Sequence, residues 1–313
     1  MYRRTVVAIL FVWILTYARG AGDAAGQDQP AVSINPRLQR GHVAMSSANL
    51  RLDVSMVLVP VSVTDPMDRP VHDLPQQSFR ILEDGVEQRI TSFSHEEGPV
   101  SMGLLFDSSG SMKGRIESSI EALKLIFKTV TPGDEFFLIQ FSEKPKYLCG
   151  FTTDPEVIRR ALGHVEAKGW TALLDAMALG ANEMRRAHNR RALLVLSDGN
   201  DNNSRYSEAE VRGMILEKDV RVYGIDLMHH SRMLEHFAEE TGGHVMYAAS
   251  MSELPAAVEK LSQEIRSEYI LGYPTDTRVK DGKYHKVAVQ VSPPPGSPSL
   301  RVSWRRGYYA PVQ

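Results

Sequence analysis

A chain of 313 residues has room for one large domain and a smaller one. Its 42% hydrophobic and 24% charged residues are those of a globular protein with a real core, neither a disordered chain nor a bundle of membrane spans. The formal net charge of −2 lacks the basic excess that neutralises phosphates, which argues against a nucleic-acid partner.

Residues 1–21 read as a secretory signal peptide. Arg3 and Arg4 precede an uncharged run over residues 6–17, and the small residues Ala18, Gly20 and Ala21 follow it. The run is shorter than the ~20 residues a span needs. The address is therefore periplasmic or extracellular, with no membrane span once the signal is cleaved; an uncleaved anchor is the alternative reading of the same run. Cys149 is the only cysteine, so an intramolecular disulfide is impossible, and the lone thiol is expected to be buried in a strand. Residues 22–48 are polar, small or proline-bearing without periodicity, a flexible leader.

Residues 49–99 have β character. The stretch 50–63 is rich in Val and Leu, Asp65-Pro66 marks a turn, and the runs 79–82 and 90–93 flank Asp84-Gly85, which predicts a hairpin between them. From Val100 the pattern alternates between strands and helices. A strand over 102–106 leads to a helix whose stripe is Ile116, Ile120, Leu123, Phe127 and Val130. Strands at 136–141 and 147–151 read as a hairpin, and a helix follows Asp154-Pro155. Further helices are expected at 172–187, from Ser207 with its capping partner Glu210, at 231–241 and at 252–267, and strands at 192–196, 220–227 and 244–248. Strands joined by helices of this length require parallel neighbours, so residues 100–267 should form a doubly wound, mostly parallel α/β sheet. Residues 268–313 return to β character. With 49–99 they should make one small β domain, into which the α/β domain is inserted.

Such sheets carry their sites beyond the carboxyl ends of the strands, where the winding reverses. There the first α/β strand ends in Asp107-Ser108-Ser109-Gly110-Ser111, which sets Asp107, Ser109 and Ser111 at every second position. The strand 192–196 ends in Ser197-Asp198-Gly199, and Thr171 opens a helix. Each fragment alone has an ordinary reading, as a helix cap or a turn. Together they offer two carboxylates and three hydroxyls with no thiol, a hard-oxygen donor set that favours Mg²⁺ over zinc or copper.

This pattern resembles the complete metal-ion-dependent adhesion site of von Willebrand factor type A domains, and the likeness covers roughly residues 100–267. The segments 58–65, 79–86 and 103–112 resemble the bacterial proteins related to that family, exported proteins of poorly defined role. The resemblance implies that Ser109 and Ser111 ligate a cation directly. It implies that Thr171 and Asp198 alternate between direct and water-mediated contact, and that Asp107 orients the serines and holds coordinated water. A partner protein's Asp or Glu carboxylate would complete the shell of Mg²⁺, with Mn²⁺ or Ca²⁺ as alternatives. Asp201 reads as a solvated loop residue or an outer carboxylate, and Asp175 as a support for its helix start. His229, His230 and His236 fit no zinc-ligand spacing and read as surface residues, as does the basic cluster Arg185, Arg186, Arg190 and Arg191. Neither a nucleophile elbow nor a phosphate-binding Gly-Lys-Ser/Thr loop occurs. The expected function is non-enzymatic: an exported, cation-dependent protein-binding module, with a structural envelope protein as the alternative. A metal hydrolase would lack an evident general base.

Overall fold

The computed structural model describes residues 55–227, 230–275, 282–293, 296 and 299–310; the signal segment 1–21, the leader 22–48 and His229 lie outside them. The first flank contains β1 (Ser55–Thr64), β2 (Phe79–Glu83), β3 (Val86–Gln88) and β4 (Ser92–Glu97). The α/β part runs β5 (Val100–Asp107), α1 (Ile116–Leu123), β6 (Glu135–Phe141), β7 (Pro145–Thr152), α2 (Pro155–Leu162), α3 (Leu173–Glu183) and β8 (Arg190–Ser197). It continues with α4 (Glu208–Glu217), β9 (Arg221–Leu227), α5 (Arg232–Thr241), β10 (Val245–Ala248) and α6 (Leu254–Arg266). The second flank supplies β11 (Ser267–Thr275), β12 (Tyr284–Val291), β13 (Arg301–Trp304) and β14 (Gly307–Tyr309).

The central sheet has the order β10-β9-β8-β5-β6-β7, parallel except for β7, the antiparallel mate of β6. Every residue of β5 is buried, because strands flank it on both sides and helices cover both faces. Met102, Leu104 and Phe106 face the layer of α1, α2 and α6, while Leu105 faces that of α3, α4 and α5. Gly103 leaves room for the Phe137 and Leu193 side chains of the neighbouring strands, and Gly180 lets α3 settle closely on the sheet. A Cβ on Gly103 would come within 2.7 Å of Leu193, and one on Gly180 within 3.0 Å of the same side chain. That seating fixes the α3 N-terminus, which follows Thr171. Capping follows the sequence: Asp154 accepts from Glu156 N–H, Ser207 and Glu210 form a reciprocal box, and Gly242 ends α5 in the left-handed region. No helix among the described residues is long and apolar enough to cross a membrane.

Strands of the two flanks pair with each other in two four-stranded sheets, β13-β1-β11-β4 and β14-β12-β2-β3. Between them lie Val59, Val61, Phe79, Ile81, Tyr269, Leu271, Tyr273, Val287 and Val289. The α/β sheet is thus inserted in a small β sandwich built from both ends of the chain. The Asp84-Gly85 turn has positive φ at both residues, the geometry of a two-residue hairpin, but its second strand is β3. The run 90–93 expected there instead leads into β4, which crosses to the other sheet and pairs with β11. A two-residue loop sets register at once, so pairing starts at Glu83 and Val86 and is over before residue 90. Cys149 lies in a strand as expected but is only half-buried, because β7 is an edge strand.

The chain enters the α/β part through β4 and leaves it through β11, and these two strands are antiparallel neighbours in which Ser267 faces Glu97. At this joint Glu268, 3% exposed, pairs with Arg221 and, at 2.9 Å, with Arg190. Arg190 also donates to the carbonyls of Gly98 and Arg266, at 2.9 and 3.0 Å, and Arg191 donates to Lys218 O at 2.9 Å. Arg190 therefore binds the joint together and Arg191 ties the start of β8 to the end of α4, so neither is solvated surface; of the basic cluster, only Arg185 and Arg186 are exposed. Removing one partner from such a buried network strands the remaining charges, which costs roughly 3–5 kcal/mol. Glu268→Ala is expected to lower unfolding free energy by about that amount in urea denaturation, while Arg186→Ala, on the exposed surface, changes it by less than ~0.5 kcal/mol.

Candidate metal centre

β5 and β8 are adjacent parallel strands, and the winding reverses between them: the chain runs from β5 to β6 on one side and from β8 to β9 and β10 on the other. Their carboxyl ends carry Asp107 and Asp198, both with 0% exposure. Ser109 N–H donates to Asp107 Oδ1 at 2.8 Å, and the Ser197 hydroxyl donates to Asp107 Oδ2. Ser109 Oγ lies 3.0 Å from Ser111 Oγ, and Ser111 Oγ donates to Asp198 Oδ1 at 2.7 Å. Asp107, Ser109, Ser111 and Asp198 therefore form one hydrogen-bonded cluster.

Thr171 sits on the adjoining loop, which is laced to the Asp107–Ser111 turn. Gly110 N–H donates to Gly169 O at 2.9 Å and Lys168 N–H to Ser108 O at 2.8 Å. Asn202 clasps Thr171 on both sides: its Oδ1 accepts from Thr171 N–H at 2.8 Å, and its own N–H donates to Thr171 O at 3.0 Å. The Thr171 hydroxyl oxygen lies 4.0 Å from where a Cβ on Gly199 would stand, beside the turn that bears Asp198. Asp201 and Asp175 stand outside the cluster. Asp201 accepts from Leu174 N–H and Ser204 Oγ, and Asp175 accepts from the N–H groups of Arg205 and Tyr206. Both fasten the 201–206 loop to the start of α3. His230 packs at a tilt on Tyr247, and His236 is largely exposed near Glu240.

Three neighbours escaped the sequence reading. Ser197 and Asn202 hold Asp107 and Thr171 but lie in turns of common composition. Arg115 forms an ion pair with Asp198 Oδ2, and its only sequence signal is its place four residues after Ser111. Burial raises the Asp107 carboxyl above the usual range against the bonds from Ser197 and Ser109, and the Asp198 charge adds to the rise. With both carboxylates ionised, one guanidinium leaves the cluster one negative charge from neutrality. An oxygen-only donor set with a surplus negative charge fits a hard divalent cation.

Residues 102–200 match the family profile of the von Willebrand factor type A domain. This part of the chain is a von Willebrand factor type A domain. The chain is also similar to the Bos taurus inter-alpha-trypsin inhibitor heavy chain H4, 25% identical over 193 residues, which make up 53% of this chain but 20% of that protein. Among solved structures, a von Willebrand factor type A protein from Catenulispora acidiphila superposes with a TM-score of 0.50 and 13% identity, over 76% of this chain and 75% of that one. Proximal thread matrix protein 1 from the mussel byssus, solved with a zinc-occupied MIDAS motif, does so with a TM-score of 0.50 and 15% identity, over 58% of this chain and 50% of that one. These two likenesses are of fold.

In metal-free protein the raised Asp107 has a definite pH signature. Its stabilising contribution is complete below the ordinary value of 3.8, where both folded and unfolded forms are protonated, and is lost as pH rises through the higher folded value. Asp107→Asn removes this dependence. In EDTA the variant should match wild type in urea denaturation below pH 3.8 and exceed it at pH 7.

Proposed function

We propose that the chain is an exported protein-binding module in which Asp107, Ser109, Ser111, Thr171 and Asp198 hold Mg²⁺, or Mn²⁺ or Ca²⁺ in its place, and a partner protein contributes an Asp or Glu carboxylate. The observation that carries the proposal is the contiguous set of oxygens from Ser109 through Ser111 to Asp198, spaced 3.0 and 2.7 Å at the reversal of the sheet. When bound, the cation supplies an electrophilic coordination position with octahedral preference, suited to an anionic ligand. Ser109 and Ser111 present neutral hydroxyls, so little of that positive charge is cancelled by its nearest ligands. Asp107 orients Ser109 through its backbone N–H and is itself held by Ser197. Asn202 sets the position of Thr171. Arg115 holds the outer oxygen of Asp198 and has to release it for that oxygen to turn toward a cation.

Trp170, 63% exposed beside Thr171, favours a partner surface at this rim, since an exposed indole next to a polar centre is a common interface anchor. Export rests on the signal reading of residues 1–21 and gives a periplasmic or extracellular location. The role assigns no catalysis. A structural role in the envelope, with the ion only stiffening the loops, draws support from the lacing of the 168–171 and 108–110 segments. Capture of partners from the native envelope in Mg²⁺ decides between the two. Binding should disappear in EDTA and in Asp107→Ala, and retention indifferent to EDTA overturns the proposal; equal capture by Ser109→Ala with a lowered Tm selects the stiffening role. In calorimetric titration with MgCl₂, Arg115→Gln should bind the cation more tightly than wild type, because the competing guanidinium is gone, and Asp198→Ala should not bind it measurably.

A further inference from the structure

We infer that His72, His95 and Glu97 form a second metal site, one that takes zinc, at the joint between the sandwich and the inserted domain. His95 and Glu97 are two residues apart on β4 and so share a face, opposite Tyr269 and Ser267 on β11. His72 comes from the loop between β1 and β2 and reaches the same point. The ligand atoms of the three residues lie within 4.8 Å of one another. His72 Nδ1 is 3.2 Å from His95 Nε2 and 3.6 Å from Glu97 Oε1, and Ser267 Oγ is 3.1 Å from each of those nitrogens.

Zinc bound at about 2.0–2.1 Å by nitrogen or oxygen has tetrahedral edges of roughly 3.3–3.4 Å. The His72–His95 and His72–Glu97 spacings bracket that length. Hydrogen bonding accounts for two of the three short contacts among His72, His95 and Ser267 and leaves the third without a proton to share. A ring nitrogen either donates or accepts, so at most two of the three contacts among His72, His95 and Ser267 can be well-formed hydrogen bonds. A cation between the nitrogens uses both lone pairs and leaves Ser267 to hold a water at the fourth corner.

The ligands are also held in place in advance. The Tyr269 hydroxyl donates to Val71 O at 2.8 Å and accepts from Leu74 N–H at 3.0 Å, which fixes the loop on both sides of His72. The same ring packs edge-on against His95, with centroids 5.0 Å apart. His72 and Glu97 keep 44% and 66% of their side chains exposed, which gives an ion a way in. Two imidazoles and one carboxylate suit zinc and not magnesium, so this site differs in kind from the oxygen-only cluster at the other rim. Zinc here would pin the 71–75 loop to the β4–β11 pair on which the inserted domain is mounted. The inference stands whether or not the first site binds metal.

Co²⁺ as a spectroscopic probe, and zinc titrated against a chromophoric chelator, test it on the full chain. Wild type and Asp198→Asn should both show the intense visible absorption of tetrahedral cobalt and bind one zinc competitively with the chelator. His72→Ala and Glu97→Gln, both at exposed side chains and checked for native circular dichroism, should lose the cobalt band. Their zinc affinity should fall by more than the roughly 10- to 100-fold expected for an outer partner, and Ser267→Ala should show about that smaller loss. Absence of a tetrahedral band in wild type, its survival in His72→Ala, or its loss in Asp198→Asn with His72 intact would overturn the site.

Discussion

Two carboxylates without exposed surface, at the ends of neighbouring parallel strands, are the constraint around which this protein is organised. Asp107 and Asp198 are brought together by the register of β5 and β8, in which Phe106 faces Leu196: Asp107 is the next and last residue of β5, and Asp198 follows Ser197, the last residue of β8. Ionised carboxylates at such a place are costly unless hydroxyls, N–H groups or a cation meet them. The surrounding residues do so in a definite order. Ser197 and the Ser109 amide serve Asp107, while Ser111 and Arg115 serve Asp198. The loops that carry these groups are held by the backbone bonds between 108–110 and 168–169 and by the Asn202 clasp. The rim is therefore preorganised by protein groups, and a cation entering it meets oxygens that are already convergent.

The opposite rim solves a different problem. An inserted domain must leave and rejoin its host at nearly the same point, or the host fold is torn. Here β4 and β11 are adjacent, so entry and exit are hydrogen-bonded to each other. Glu268 then ties β11 to β9 and to the start of β8 through Arg221 and Arg190. Arg266, the last residue of α6, pairs with Asp134 at 2.6 Å, and Asp134 accepts from Val100 N–H at 2.8 Å, so the first strand and the last helix are anchored by one carboxylate.

Much of this was legible in the sequence because it rests on local rules. Alternation of strands and helices fixed the parallel sheet; Asp154, Ser207 and Gly242 marked helix ends through side-chain and backbone preferences that act within a few residues. The positions of Asp107, Ser109, Ser111, Thr171 and Asp198 at strand and helix ends were readable for the same reason. What escaped depends on distance along the chain. Arg115 meets Asp198 and Arg190 meets Glu268 only through the tertiary fold, and an arginine beside other basic residues looks like solvated surface until its partner is placed. The 90–93 run was assigned to a hairpin because it follows a hairpin turn, whereas its pairing with β11 spans the whole inserted domain. His72, His95 and Ser267 belong to three separated segments and carry no common spacing.

The two rims are joined by rigid elements. β5 starts at the joint, where Val100 follows Gly98-Pro99, and ends seven residues later at Asp107, a rise of roughly 23 Å at about 3.3 Å per residue. α6 passes into β11 without an intervening loop, because Arg266 ends the helix and Ser267 begins the strand. A displacement of α6 would therefore reach β11 with no loop to absorb it, and the residue that receives it is Ser267, beside His72 and His95. The sandwich thus serves as a stiff mount at one end of the parallel sheet, and the other end, with Trp170 and the oxygen cluster, faces away from it. A protein that meets a partner through one rim gains most from fixing the other. This division leaves the oxygen cluster and the exposed Trp170 at the free rim and sets the Glu268 and Asp134 ion pairs at the attached one.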